Sequence, residues 1–379
     1  RSTLFPYTTL FRSVGGAVPG SFNVNALDHM AEGLVLSIDG MGGDHAPDIV
    51  VEGVEIAVRA RPDLKCILHG DAARLSALLD RHPAARAASR VAAAEKAIGM
   101  EVKPSQALRQ GRGSSLWNAI AAVENGEANA VVSAGNTGAY MAIAMVRLRM
   151  MEGVHRPALA ARWPAASGGY VVLLDVGANV QADGEQLVEF AIMGEAFQRA
   201  VSGKARPSVA LLNVGAEDLK GHEEIRAAAK LVREAGVDMD FQGFVEGDDI
   251  AKGTVDVVVT DGFTGNIAIK TGEGTARLVG QLLKEALSSG PLAMLGAAIA
   301  YPALRKLRTR MDPGTFNGAV FLGLNGLVVK SHGGANGRGF ASAIEVAARL
   351  ASSHYREEIV RNLQRLAHAE AAAAAGEAR

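Results

Sequence analysis

The segment TDGFTGNIAIKTGEG at 260–274 brings several chemically useful side chains close together in the sequence. Asp261 follows an apolar run, and Gly262 and Gly265 allow a tight loop after it. Thr264 is the predicted cap of a helix that begins in this loop. The segment has the pattern of a strand exit that turns into a helix N-terminus, where open α/β sheets bind ligands.

Asn266 and Lys270 are four residues apart on the predicted helix, so they share one face, and the lysine leans back toward the helix N-terminus. This spacing predicts that Asp261, Asn266 and Lys270 converge on one small volume. A carboxylate, an amide and an ammonium there could hold an oxyanion and control its protons. The alternative is that Lys270 forms only a surface ion pair with Glu273.

Four other glycine-rich loops follow predicted strands. They are IDGMGGDHAP at 38–47, SAGNTGA at 133–139, DVGAN at 175–179 and NVGAED at 213–218. Glycine lets backbone N–H groups approach a ligand, and a helix N-terminus adds partial positive charge, so such loops suit an oxyanion. Each loop alone could be a plain tight turn. Because all five follow strands, we predict that they share one anion site at one edge of a parallel sheet.

Several well-known chemical motifs are absent from the sequence. GMGGDH lacks the third glycine spacing of G-x-G-x-x-G, and neither G-x-x-x-x-G-K-[ST] nor G-x-S-x-G occurs. HEEIR at 222–226 lacks the second histidine of a zinc protease, and no other cluster has metal-ligand spacing. We therefore expect no metal site and no dinucleotide fingerprint, and His222 is expected at a helix N-terminus.

Alternating strands and helices must hold these loops, and the predicted strands are nearly all apolar, as parallel strands covered on both faces should be. They are 34–39, 65–70, 130–133, 170–175, 208–213 and 255–261, with a weaker pair at 318–324 and 326–330. Ser114 is a predicted helix cap, and Asp183 with Gln186 forms a predicted capping box. Thr137 precedes a helix that is apolar almost all round to Met145. The pattern predicts an α/β fold, a three-layer αβα sandwich.

The segment 288–312 interrupts this alternation and is expected to project as a helical excursion. Its apolar stretch PLAMLGAAIAYPAL at 291–304 is too short to cross a bilayer. A basic cluster follows it, composed of Arg305, Lys306, Arg308 and Arg310. The stretch could lie on an anionic membrane surface, or it could form a core or dimer-interface hairpin with a solvated charged end.

The composition is that of a globular protein without a strong charge bias. Forty acidic residues balance 39 basic ones, which gives no general case for binding nucleic acid. The one cysteine, Cys66, is expected to be a small buried apolar residue, which fits a reducing cytoplasm. Residues 1–30 are expected to be a non-native or disordered extension with Met30 as the native start, and 369–379 an alanine-rich tail.

Residues from about 34 to 366 resemble the PlsX-type phosphate acyltransferase family. The stretches that carry the resemblance are DGMGGDHAP, SAGNTGA, LLDVGAN, LLNVGAED, FVEGDDI, VVVTDGFTGNIAIKTGEG and HGGANGRGF. The resemblance implies that 31–368 form a Rossmann-like domain related to the isocitrate/isopropylmalate dehydrogenases and the phosphate acetyltransferases. It implies the reaction of acyl-[acyl-carrier-protein] with inorganic phosphate to give acyl phosphate and free carrier protein, for phospholipid synthesis.

The resemblance also implies partners and a location. We expect a cytoplasmic homodimer, peripherally attached to the membrane, that passes its product to a membrane glycerol-3-phosphate acyltransferase. No metal or organic cofactor is expected. The acidic carrier protein could dock on Arg147 with Arg149 or on the 305–310 cluster, and the acyl chain could lie near Met141 and Met145.

The catalytic roles are expected to fall on four residues. Asn266 and Lys270 would complete the phosphate pocket or contact the thioester oxygen, and Asp261 would hold phosphate or take its proton. His45 would protonate the departing sulfur, or it would make only a structural hydrogen bond within its loop.

A larger set is expected to bind the phosphate or the acyl donor, chiefly through backbone N–H groups, with Asp39, Asp44, Asp175 and Asn179 mainly orienting loops. The set is Asp39, Gly42, Gly43, Asp44, Ser133, Asn136, Thr137, Gly138, Asp175, Asn179, Asn213, Gly262, Thr264 and Gly265.

Three other functions stay open at this point. A phosphate acetyltransferase that uses acetyl-CoA would need the same chemistry. A nicotinamide-dependent dehydrogenase would share the fold group but lacks its fingerprint here. A non-enzymatic membrane scaffold would explain the 291–304 segment but would leave the glycine-rich loops without a role.

Overall fold

The computed structural model describes residues 33–234, 238–311 and 316–377. The predicted extension at 1–30 lies outside these residues. From Leu34 onward the described residues form one unit. Its last helix, α13 (Tyr355–Glu377), runs through the predicted boundary at 368/369 without a break.

The described residues form one sheet of eleven strands in the order β3-β2-β1-β4-β11-β10-β5-β6-β9-β7-β8. The strands are β1 (Val35–Asp39), β2 (Lys65–Gly70), β3 (Ser89–Ala93), β4 (Ala130–Ser133), β5 (Ala158–Pro164), β6 (Tyr170–Leu174), β7 (Ser208–Leu212), β8 (Asp240–Val245), β9 (Val257–Val259), β10 (Ala319–Leu322) and β11 (Leu327–Lys330). All eight predicted strands are present, and the αβα fold class is confirmed. The sequence prediction missed β3, β5 and β8.

Helices cover both faces of the sheet. They are α1 (Asp48–Ala60), α2 (Ala72–Leu79), α3 (Pro83–Ala88), α4 (Pro104–Gln110), α5 (Ser115–Glu124), α6 (Thr137–Leu148), α7 (Gly184–Ser202), α8 (Glu223–Glu234), α9 (Gly247–Lys252), α10 (Gly262–Leu287), α11 (Pro291–Met311), α12 (Gly337–Ala351) and α13. The predicted caps are confirmed: Ser114 Oγ accepts from the Trp117 N–H at 3.2 Å, and Asp183 with Gln186 closes a capping box.

The sheet consists of two parallel halves that run in opposite directions. Strands β3, β2, β1, β4 and β11 are parallel, and so are β6, β9, β7 and β8. Between them β10 is antiparallel to both β11 and β5, and β5 is antiparallel to β6. Three successive antiparallel pairings reverse the direction of the second half relative to the first.

The prediction that all five glycine-rich loops leave one edge of a parallel sheet is therefore wrong. The strand registers nevertheless place the carboxyl ends of β11 and β6 at nearly the same level across the sheet. Lys330 pairs with Ala319, and the β10–β5 and β5–β6 registers continue this row to Leu173. Because β6 ends at Leu174, the last residues of β11 and β6 lie about one residue from the same row.

Successive side chains of each strand point to opposite faces of the sheet, as strand geometry requires, and both faces are apolar. Ala160, Val172 and Leu174 pack with α7 and α12 on one face, and Leu159, Val171 and Leu173 belong to the cluster on the other face. Cys66 lies within the first cluster, and burial raises the pKa of its thiol to about 12, as expected of a structural cysteine.

Helices α10 and α11 form a hairpin with a bend of 120° between them. The exposed apolar surface of the hairpin begins within the 26-residue α10, so the hairpin is longer than the excursion predicted at 288–312. The exposed large apolar side chains of the hairpin are Phe263, Ile267, Leu278, Val279, Leu282, Leu283, Leu292, Met294, Leu295, Ile299 and Tyr301. Among the described residues no single helix could span a membrane, whereas this bent pair meets the length and hydropathy requirement.

Candidate functional site

The ends of β1 and β4 are tied together by a buried carboxylate. Ser133 Oγ donates to Asp39 Oδ2 at 2.7 Å and accepts from the Gly135 N–H at 2.9 Å. Burial raises the pKa of Asp39, while hydrogen bonds from Ser115 and Ser133 act against this rise. Asp39 is 2% exposed, so its carboxylate orients the two loops from below.

Gly42 and Gly43 need to be glycine because other groups occupy the space of a side chain. A Cβ at Gly42 would collide with Asp39 Oδ2 and lie 2.8 Å from the Gly135 nitrogen. Gly43 has φ of +107°, and a Cβ there would lie 2.9 Å from that of Ala134. The backbones of the β1 and β4 loops therefore approach each other closely, as an anion-binding cradle made of N–H groups requires.

Lys330, the last residue of β11, lies at the base of the same loops. It is 7% exposed, and its Nζ donates to the carbonyl oxygens of Ala134, at 3.3 Å, and Ser331. Burial lowers the pKa of Lys330 to about 8, against the opposing effect of the Asp39 and Asp44 carboxylates. Lys330 was not among the predicted site residues, although a lysine that ends the apolar strand LVVK before a glycine-rich loop was a usable signal.

The loop after β11 supplies a histidine that the sequence prediction also missed. His332 Nδ1 accepts from the Gly334 N–H at 3.2 Å, so the proton of the neutral ring lies on Nε2. Loss of solvent lowers the pKa of His332, with Lys270 and Lys330 adding to the effect. The neighbouring Gly333 carbonyl accepts from the Asp44 N–H at 3.0 Å, which joins this loop to the β1 loop.

Two of the predicted site residues, Asn136 and His45, take no part in the hydrogen bonds just described. The Asn136 amide donates to the carbonyls of Met100 and Val102, and its oxygen caps α6 at the Ala139 N–H. His45 is exposed, and within the described part of the chain its ring makes no hydrogen bond.

In the first turn of α6, Thr137 is exposed and Gly138 is half-buried. A Cβ at Gly138 would lie 2.8 Å from Pro104 Cγ, so a close packing contact accounts for this glycine.

The loops after β6 and β9 interlock with one another. Asp175 is fully buried, and its carboxylate accepts from the N–H groups of Leu159, Gly177, Ala178 and Asn179 and from the Asn179 amide. Burial raises the pKa of Asp175 against the effect of these hydrogen bonds.

The start of α10 rests on this structure. The Gly262 N–H donates to the Asn179 carbonyl at 2.7 Å, and a Cβ at Gly265 would overlap the Asp175 carbonyl oxygen. The β6 loop therefore fixes where α10 begins.

Among the described residues, Asp261, Asn266 and Lys270 make no hydrogen bond to one another, and their predicted convergence stays a prediction. Asp261 caps α10, accepting from the Thr264 N–H at 2.8 Å and its hydroxyl at 2.9 Å, so the prediction of Thr264 as the cap is wrong. Asn266 donates to the Val176 carbonyl at 3.2 Å. Each of the three side chains thus has its own partner.

Lys270 forms the surface pair that was the alternative interpretation, with Nζ 3.4 Å from Glu273 Oε2. Its side chain is 58% exposed, yet its charge affects the pKa values of both Lys330 and His332. α10 therefore places the charge of Lys270 where it acts electrostatically on the end of β11 and the loop after it.

Asn213 closes a separate loop after β7. Its amide donates to the Lys220 carbonyl at 3.2 Å, its oxygen accepts from the Val214 N–H at 2.9 Å, and Gly221 packs against it. Arg147, one predicted docking residue, pairs with Glu124 and lies over the Trp117 ring. Arg147 is therefore held in an internal contact, whereas Arg149 is exposed.

The structure thus brings one set of residues together where the loops after β1, β4 and β11 meet. We call this set the cradle; it consists of Asp39, Gly42, Gly43, Asp44, Ser133, Lys330 and His332, with Lys270 nearby. Its chemistry is that of an anion site: backbone N–H groups, a buried ammonium and a second lysine. Within residues 33–234, 238–311 and 316–377, no three histidine, cysteine or carboxylate side chains are grouped to hold a metal ion.

The fold is shared with solved phosphotransacylases. A phosphotransacetylase from Streptococcus pyogenes superposes with a TM-score of 0.57 at 15% identity, covering 87% of this chain and 99% of that one. EutD phosphotransacetylase from Staphylococcus aureus gives a TM-score of 0.54 at 16% identity, covering 86% of this chain and 97% of that one. These likenesses define the class of fold, an α/β phosphotransacylase-like architecture.

The sequence is similar to that of curated proteins over most of its length. The "Phosphate acyltransferase" of Caulobacter vibrioides is 59% identical over 348 residues, covering 92% of this chain and 96% of the relative. That of Parvibaculum lavamentivorans is 55% identical, covering 89% of this chain and 93% of the relative. The profile described as "Fatty acid synthesis protein" matches residues 34–358. The chain belongs to this fatty acid synthesis family of phosphate acyltransferases.

Proposed function

We propose that this chain transfers the acyl group of acyl-[acyl-carrier-protein] to inorganic phosphate. The observation that supports this best is the cradle, where two glycine-rich loops approach each other closely beside the buried Lys330 ammonium, in a chain of the phosphate acyltransferase family. Phosphate is an anion at neutral pH, so such a site can hold it without a further cofactor. A thioester is already activated, so positioning the two reactants lowers much of the barrier.

In the proposed reaction a phosphate oxygen attacks the thioester carbonyl carbon. The new C–O bond forms, the C–S bond breaks, and its electron pair stays on sulfur, which takes up a proton. Lys330 and Lys270 stabilise the phosphate and the negative charge that develops on the carbonyl oxygen. Because Nε2 of neutral His332 bears the ring proton, we place there, rather than at His45, the hydrogen bond that stabilises the departing thiolate, and the sulfur then takes its proton from water.

The experiment that tests this function measures acyl phosphate directly. The purified chain is incubated with phosphate and either palmitoyl-ACP or acetyl-CoA, and the product is trapped with hydroxylamine. Hydroxamate formed with palmitoyl-ACP, together with free carrier thiol, is the expected result. Faster turnover of acetyl-CoA would favour a phosphate acetyltransferase, and an NAD-linked absorbance change without hydroxamate would favour a dehydrogenase.

The hairpin of α10 and α11 supports the proposed peripheral membrane attachment. Its exposed side chains include Leu292 at 83% and Ile299 at 76% exposure. Such a surface, followed by basic residues, suits an anionic lipid surface. We expect the chain to float with phosphatidylglycerol vesicles and Leu292→Glu to stay in the aqueous fraction; equal flotation of the two would contradict the proposal.

The remaining partners stay predictions from the family resemblance. These are the homodimer and the transfer of product to a membrane glycerol-3-phosphate acyltransferase. The molar mass in solution, measured by light scattering, tests the dimer. If Leu292→Glu abolishes the dimer but not the vesicle binding, the hairpin is a subunit interface instead of a membrane contact.

A further inference from the structure

A second polar pocket lies on the opposite face of the sheet from α10. It has a volume of about 450 Å³ and is lined by Arg162, Tyr170, Val201, Ser202, Ser342, Glu345, Val346 and Arg349. Arg162 follows Ala158 and Ala160 on the face of β5 that packs with α7 and α12, whereas Trp163 and α10 are on the other face. The pocket is therefore separate from the cradle.

The positive charges of the pocket are only partly compensated. Arg349 pairs with Glu345 at 2.8 Å, and Arg61 pairs with the same carboxylate at 3.5 Å. Arg162 has no carboxylate among its described hydrogen-bond partners, which include the Asn317 carbonyl at 2.9 Å, Ser342 Oγ at 3.5 Å and the Tyr170 side chain. The pocket lining therefore holds two guanidinium groups and one carboxylate, and that carboxylate also pairs with Arg61.

Arg162 has unused capacity to donate. Its Nε is buried and, among the described residues, has no hydrogen-bond partner. Burial, with the charge of Arg349 adding to it, lowers the pKa of Arg162, so the site as it stands disfavours its positive charges. An anion between Arg162 and Arg349 would remove this repulsion.

The geometry points to a binding site for the phosphate group of a small phosphorylated molecule. Guanidinium groups bind phosphate oxygens through paired hydrogen bonds, and the Tyr170 hydroxyl adds a further donor. The volume equals that of roughly fifteen waters at about 30 Å³ each, which exceeds what a bare phosphate ion needs. Val201 and Val346 form an apolar wall for the organic part of the ligand.

Asn317 connects the pocket lining to the loop that carries His332. The Asn317 carbonyl accepts from Arg162 and from Ser342 Oγ, and its side chain binds Ser331 Oγ at 2.7 Å and the His332 N–H at 3.0 Å. A ligand that binds Arg162 is thus connected through a single residue, Asn317, to the loop after β11.

Calorimetric titration with glycerol 3-phosphate and, separately, with inorganic phosphate tests the site. We expect Arg349→Gln to weaken glycerol 3-phosphate binding about 10-fold and Glu345→Gln to strengthen it at least 3-fold. Arg59→Gln is the matched control, because Arg59 also pairs with a glutamate one turn away, Glu55 at 2.7 Å, but lies on α1. Its affinity is expected to stay within 2-fold of the wild type.

Two results would overturn the proposal: no glycerol 3-phosphate binding at millimolar concentration, or equal affinity in Arg349→Gln and Arg59→Gln. If inorganic phosphate shows the same sensitivity to Arg349→Gln and the monoester binds no more tightly, the site is specific for the free ion and the inferred organic part of the ligand is wrong. Acyl phosphate formation is measured on the same samples. Binding without acyl transfer would contradict the proposed function alone, and acyl transfer without binding would contradict the pocket alone.

Discussion

Lys330 Nζ donates to the carbonyl oxygen of Ala134 across 3.3 Å, so a buried ammonium joins the ends of the neighbouring parallel strands β11 and β4. The same strand end brings Ser133 against Asp39. A positive charge is thereby fixed beneath two glycine-rich loops before any substrate arrives. Pre-organised charge of this kind stabilises a transition state without the cost of reorientation.

Replacing this ammonium should remove most of the activity. For Lys330→Met we expect acyl phosphate formation to fall roughly 100-fold, the typical loss of one pre-organised donor. Because the pKa of Lys330 is about 8 and only the protonated form is charged, the wild-type rate should fall as the pH rises through that value. Initial rates between pH 6.5 and 9.5 check both points, with circular dichroism to confirm folding. Activity of Lys330→Met within 3-fold of the wild type would contradict the role.

Lys270 offers a test with a control on the same helix. Lys270→Ala should raise the KM for phosphate about 10-fold, because Lys270 is the charge that α10 brings near Lys330 and His332. Arg277 approaches the same Glu273 from the next turn, at 3.9 Å, and is 72% exposed. Arg277→Ala should therefore leave the KM unchanged. Equal effects of the two substitutions would show that Lys270 is only part of a surface ion pair.

The two histidines can be distinguished in the same assay. His332→Gln should lower kcat by about 100-fold if its Nε2–H stabilises the departing sulfur, the typical loss of one pre-organised donor. His45→Gln, at an exposed ring, should lower it less than 3-fold. An acyl donor with a better leaving thiol should restore much of the rate of His332→Gln but not change that of His45→Gln. The opposite pattern would return the role to His45.

Local rules were sufficient for the strand ends of the first half of the sheet. Asp39 and Ser133 were expected to act together because each ends an apolar strand, and they do share a hydrogen bond. The assignment of the helix cap failed on a small difference, since aspartate is preferred to threonine at that position and Asp261 was one turn closer to the strand.

The direction of the second half could not be predicted from local patterns. It depends on β5, whose sequence ALAARWP ends in an arginine, a tryptophan and a proline and lacks the long apolar run used to find the other strands. Because β5 was not recognised, its antiparallel pairings with β10 and β6, which reverse the direction of the second half, could not be predicted. The glycine requirement at Gly265 likewise comes from a tertiary contact with Asp175 that no spacing in the sequence indicates.

Acid stability should depend on His69, a buried residue of β2. Its Nε2 lies 3.0 Å from Ser37 Oγ, which itself donates to the Ala119 carbonyl, so Nε2 is the donor and buried Nδ1 has no partner among the described residues. Burial lowers the pKa of His69 from 6.5 to about 4.

Between those two pH values the unfolded chain binds a proton at His69 that the folded chain does not. The contribution of His69 to the free energy of unfolding is therefore fully present above pH 6.5 and is lost as the pH falls toward 4. At 1.36 kcal/mol per pKa unit, the loss is about 3 kcal/mol. His69→Gln keeps a donor for Ser37 and should lose less stability over this range. Urea unfolding at pH 7.5 and pH 4.5 measures the difference. Parallel losses in both proteins would exclude His69 as the cause.

The seating of α10 on the β6 loop can be tested with a pair of glycines on one helix. A methyl group at Gly265 would overlap the Asp175 carbonyl oxygen, whereas a Cβ at Gly274 would meet nothing within 4 Å. Gly265→Ala should therefore destabilise the fold by about 2–3 kcal/mol, in the range of overpacking, and should lower activity by shifting Lys270. Gly274→Ala should instead stabilise the helix by up to about 1 kcal/mol. The urea unfolding midpoints and the rates of acyl phosphate formation of the two variants measure these effects. A stabilised and fully active Gly265→Ala would mean that α10 is not positioned by this contact.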